Sequence, residues 1–133
     1  MKEMVTEELK TSRDKLDSAR ILFKNKKWAD AISRSYYSMY HAARALLRIY
    51  GKEPKTHSGM ISEFGLTFVN TNLIDKRYGK MLRRAEEARE SSDYKVLALF
   101  DEPEVKEFLK NAELFLDMAE KKSESFMKGE KFK

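Results

Sequence analysis

Residues 31–51, AISRSYYSMYHAARALLRIYG, constrain the fold more than any other part of the chain. Read at 3.6 residues per turn, Ile32, Tyr36, Met39, Ala43, Leu46 and Tyr50 form one wide apolar face. Ala31, Ser35, Ser38, Ala42 and Ala45 form a second face of small residues beside it. Large side chains meet one neighbour, and small ones let another helix approach closely, so this segment is expected at the centre of a helical assembly. The remaining strip carries Arg34, Tyr37, His41, Arg44 and Arg48, which aligns cationic and hydroxyl groups along one side. That strip is the first candidate for function.

The rest of the chain supplies partners for such a helix. A first helix is predicted over 3–25, with Leu9, Leu16 and Phe23 a heptad apart and Val5, Ser12, Ala19 and Leu22 on the same side. Lys24, Asn25, Lys26 and Lys27 break its pattern. The second helix, over 27–50, ends at Gly51 with Pro54 beyond it, so the two form a long N-terminal antiparallel hairpin. A shorter helix is predicted over 56–69, from Met60, Ile61, Phe64 and Phe68. A fourth runs from 75 to about 90 and stops at Ser91 and Ser92, with Lys76, Lys80, Arg83 and Arg84 on a solvated face. Residues 94–100, YKVLALF, are apolar enough for a strand but have no second strand to pair with, and so read as a packed connector. The last helix opens at Asp101, with Pro103 in its first turn and Glu104 completing a capping box. The tail from about residue 123 loses amphipathicity and is expected to fray. The expectation is an all-α, up-and-down bundle of four to five helices in a single domain spanning 1–133.

Composition excludes several classes. The 133-residue chain has no cysteine, so neither a disulfide scaffold nor a thiolate zinc site is available. Its two histidines lie far apart without an acidic cluster, so no metal spacing is recognisable, and nothing calls for a cofactor. No run of about 18 apolar residues occurs and the charged start MKEMVTEELK is unlike a signal peptide, so a soluble, cytoplasmic protein without membrane association is expected. The net charge of +5 is carried by the first two thirds of the chain, which could face phosphates. High Lys and Glu content without any glutamine points to a thermophilic source.

Three motifs in order, SRSYYSMYHAARALL, THSGMISEFG and ARESSDY, resemble the HEPN domain family, especially its small stand-alone prokaryotic members. The resemblance covers nearly the whole chain. It implies a helical bundle, frequent homodimerisation and association with RNA or nucleotides. It further implies a partner: many HEPN proteins work beside a minimal nucleotidyltransferase as a toxin and antitoxin pair. Several members are metal-independent ribonucleases with an Arg, four to six residues, then His motif late in the bundle. Here the matching arginine is Arg89, and Tyr94 stands where that motif has histidine. Tyrosine, with a reference pKa of about 10, is a poor general base near neutrality. Arg34 and His41, with six residues between them, satisfy the spacing on the second helix instead.

Candidate ligand-binding residues are therefore Arg34, Tyr37, His41, Arg89, Asp93 and Tyr94, expected to meet in one polar cleft, with His41 and Arg34 as the catalytic candidates. Structural roles compete at each. Arg34 and His41 could form a buried pair with Asp93 or Tyr37, and Arg89 with Asp93 an ion pair at a helix end. His57 reads as a surface or capping residue, and Tyr36, Tyr37 and Tyr40 as core or interface. Two functions remain open: a binding module for RNA or nucleotide that docks a nucleotidyltransferase, or a ribonuclease in which His41 moves a proton while Arg34 and Arg89 stabilise phosphorane charge.

Overall fold

A computed structural model describes residues 1–94 and 100–129, with the side chains of Asp93 and Tyr94 outside that description. Helices α1 (Lys2–Lys24) and α2 (Trp28–Ile49) form the hairpin, α3 (His57–Phe64) is short, and α4 (Lys76–Tyr94) and α5 (Glu102–Met127) complete the bundle. A π-helical turn, Gly65–Val69, extends α3. Every regular element among the described residues is helical. The connector expected at 94–100 lies almost wholly outside the described residues.

Local chemistry fixes the ends. Lys26 takes a left-handed φ of 59° in the tight link between α1 and α2. At the far end of α2, Gly51 has φ 73°, and the Lys52 and Gly51 amides donate to Leu47 and Arg48 carbonyls, a Schellman closure. Thr56 caps α3 by accepting from the Gly59 amide at 2.9 Å. Asp101 and Glu104 make the reciprocal capping box that opens α5.

Helix α2 is the hub, packed by α1, α4 and α5 and touched by α3. Its small face meets α1 at Ser38, whose carbonyl accepts the buried Ser12 hydroxyl at 2.6 Å. Its large face enters the main core with Phe64, Phe68, Phe115 and Phe126, all without exposed surface.

Two boundaries differ from expectation. Helix α4 runs through Ser91 and Ser92 to Tyr94, because the Ser92 hydroxyl turns back to the Arg89 carbonyl at 3.0 Å instead of competing with the helix. The tail also departs from the frayed end expected from about residue 123. Helix α5 continues to Met127, because buried Phe126 stacks on Phe68 at 5.6 Å and meets Tyr50 edge-on at 5.5 Å. The apolar anchor of this last turn is distant in sequence.

Ala42 and Ala43 have no exposed surface. Ala42→Leu or Ala43→Leu should therefore lower stability by about 1–3 kcal/mol through overpacking, as checked by denaturant melts.

Candidate functional site

The polar strip of α2 does not face solvent as a bare row of cations. Glu8, one turn from Val5 on the buried side of α1, reaches across to it. Its carboxylate meets His41 Nδ1 at 2.9 Å, Arg48 Nε at 3.0 Å and Arg44 Nε at 3.3 Å. Arg48 also holds Glu53 at 3.1 Å. The Glu8 side chain is only 12% exposed. Burial alone would raise its pKa, but the hydrogen bonds from His41 and Arg48, with the charges of Arg44 and His41, hold it below the ordinary value of 4.5.

A second cluster lies one turn along α2. Tyr36 is fully buried, and its hydroxyl lies 2.6 Å from His57 Nδ1. Burial, with a further contribution from the Glu86 charge, pushes the Tyr36 pKa far up, so its hydroxyl stays protonated in this bond. Arg89, 7% exposed, extends from α4, donates to Glu86 at 2.8 Å and sets its guanidinium over Tyr36 and Tyr37, 5.3 and 5.8 Å from the ring centres.

Tyr40 joins the clusters. Its ring lies 4.8 Å from His57 and 5.2 Å from His41, and Arg44 sits over it at 5.6 Å. A continuous row thus runs from Glu86 and Arg89 through Tyr37, His57 and Tyr40 to His41 and Glu8. Of the residues singled out in the sequence, Tyr37 and Arg89 touch directly, and His41 connects through Tyr40. Arg34 is exposed and stands apart, in a shallow groove with Leu22, Asp30 and Ser33. Asp93 and Tyr94 occupy the last turn of α4, one turn beyond Arg89. Among the described residues the His41 partner is Glu8 and not Tyr37, while the contact expected with Asp93 lies outside the described residues.

Sequence reading missed Glu8 and gave His57 only a surface or capping role. For Glu8 a signal existed: a carboxylate four residues before Ser12, on the side of α1 that turns to α2. Among the described residues no group of three metal-ligating side chains occurs, and no helix is long and apolar enough to cross a membrane.

This all-helical bundle, with its cationic and aromatic row on the central helix, matches a family model described as HEPN domain over residues 5–122. The chain belongs to the HEPN domain family. It is 36% identical over 113 residues to a Methanocaldococcus jannaschii protein named "Putative toxin", covering 85% of this chain and 84% of that protein. A UPF0332 protein of Thermotoga maritima is 38% identical over 110 residues, 83% of each chain. Another from Pyrococcus horikoshii is 49% identical over 80 residues, 60% of this chain and 56% of its own.

Glu8 supplies a pH test. Because its folded pKa is depressed, its stabilisation is present above the ordinary carboxyl pKa and is lost as pH falls through the lowered value. Glu8→Gln should cost about 1–3 kcal/mol at pH 7, leaving three basic groups without their shared carboxylate. The gap to wild type should close in acid, as followed by denaturant melts between pH 7 and pH 3.

Proposed function

We propose that this chain is the HEPN component of a toxin–antitoxin-type pair, a homodimer that engages RNA or a nucleotide and docks a minimal nucleotidyltransferase. The row from Arg89 through Tyr37, His57 and Tyr40 to His41 carries this reading. It concentrates cationic, aromatic and imidazole groups on one side of the central helix, a combination suited to phosphate and base together. Family membership and the toxin name of a relative similar over most of its length support the same reading. The homodimer draws its support from the family resemblance, and light scattering at micromolar concentration should give a mass near twice 15.6 kDa.

Glu8 favours a second reading, a metal-independent ribonuclease. A carboxylate on Nδ1 fixes the orientation of His41 and leaves Nε2 as the basic nitrogen, the arrangement a general base requires. Arg34, the other catalytic candidate, would stabilise phosphorane charge from one end of the strip.

Titration of a labelled oligoribonucleotide at two salt concentrations tests both readings. Arg89→Ala, at one end of the row, and Arg34→Ala should each weaken binding by roughly 1–3 kcal/mol with an unchanged circular dichroism spectrum, and wild-type affinity should fall as salt rises. Unaltered affinity in folded Arg89→Ala would overturn the row as the binding site, and unaltered affinity in folded Arg34→Ala would remove Arg34 from it. Cleavage of the same RNA by wild type but not by His41→Ala would select the ribonuclease.

A further inference from the structure

The π turn Gly65–Val69 and the first half of α4 enclose a groove of about 210 Å³, lined by Ile61, Gly65, Val69, Asn70, Lys76, Gly79, Lys80 and Arg83. No acidic residue lines it. Lys76, Lys80 and Arg83 are exposed and make no ion pair among the described residues, in contrast to Arg44 and Arg48, which Glu8 neutralises. They recur at intervals of four and three residues along one helix, about 6 and 4.5 Å apart along its axis. Lys80 also borders a second groove containing Arg77, Arg84 and Asn111, where Glu107 pairs with Arg84 at 3.6 Å and so bounds the unpaired basic surface.

Gly65 is a separate observation pointing the same way. Its backbone is ordinary right-handed helix, φ −61° and ψ −47°, where glycine costs about 1 kcal/mol relative to alanine. A Cβ there would meet nothing within 4 Å, so neither conformation nor packing calls for glycine. Gly79 differs, since its Cβ would press on Val69 at 3.3 Å, and it serves the packing of α4 on the turn. Gly65 instead keeps one wall of the basic groove free of side chain. The turn itself is π-helical, a geometry that departs from the regular ladder and recurs at functional sites.

We propose that this groove is a contact site for the sugar-phosphate backbone of single-stranded RNA, separate from the row on α2. Lys76, Lys80 and Arg83 hold successive phosphates, Asn70 offers an amide, and Ile61 and Val69 form the apolar wall. The site rests on the reading of the chain as an RNA-associated module. Contacts of this kind carry little sequence preference and strong salt dependence, because each neutralised phosphate releases counterions.

The test titrates a fluorescein-labelled ten-residue oligouridine against wild type, the triple variant Lys76→Glu/Lys80→Glu/Arg83→Glu, and Gly65→Leu, at several salt concentrations. The triple variant should bind at least thirtyfold more weakly, and the slope of log affinity against log salt should fall by about 2, at roughly 0.7 for each single-strand phosphate lost. Gly65→Leu should bind about tenfold more weakly while melting at or above the wild-type temperature, which keeps the site testable should the triple variant not fold. Wild-type affinity in both folded variants would overturn the site and leave the proposed function standing. Failure of the wild type to bind oligouridine at any salt concentration would overturn the groove and the RNA form of the proposed function, leaving only its nucleotide form.

Discussion

Helix α2 is buried along most of its length, and a helix in that position must find a different solution for each side of its circumference. Against α1 the solution is closeness. Ser38 and its small neighbours bring the backbones near enough for Ser12 to bond across. Against α3 and α4 the solution is bulk, with Tyr36 and Met39 filling space that alanine would leave empty. Burying each large apolar side chain contributes about 1.5–3 kcal/mol, so this one helix organises much of the hydrophobic stabilisation of the domain. Its cations are the exception, and they need a carboxylate from elsewhere.

That requirement explains why the polar and aromatic row is ordered. Arg and His side chains on a helix surface sample many rotamers, yet here His41, Arg44 and Arg48 share Glu8, and Arg89 is held between Glu86 and two tyrosine rings. Groups fixed in this way meet a ligand with less entropy left to lose. Lys76, Lys80 and Arg83 on α4 are the opposite case, long exposed side chains that make no ion pair among the described residues and keep their rotamer freedom.

Most of the architecture was legible from periodicity. The hairpin, the Gly51 closure and the Asp101 capping box all depend on residues within a few positions of each other, and such local patterns specify their own geometry. What was not legible depends on distant partners. His57 reads as a cap because Tyr36, which bonds it, lies 21 positions away. Phe126 reads as part of a fraying tail because Phe68 and Tyr50 come from other helices. Glu8 is one of several acidic residues in α1, and only the approach of α2 distinguishes it. Tyr37 was legible as a candidate from its place on the polar strip of α2 and Arg89 from the resemblance to the family's late arginine motif, but not the aromatic bridge of Tyr40 and His57 that joins them to His41.

The shared carboxylate also shapes how this sequence can change over generations. Glu8 answers to three bases at once, and Arg48 answers in turn to Glu53, so these positions cannot drift one at a time. A substitution at position 8 that removes its charge exposes a lineage to excess positive charge at the hairpin, and the readiest relief is loss of a base at 41, 44 or 48. Substitutions along this seam should therefore arrive in correlated sets. Arg34, outside the network, is not bound into these sets.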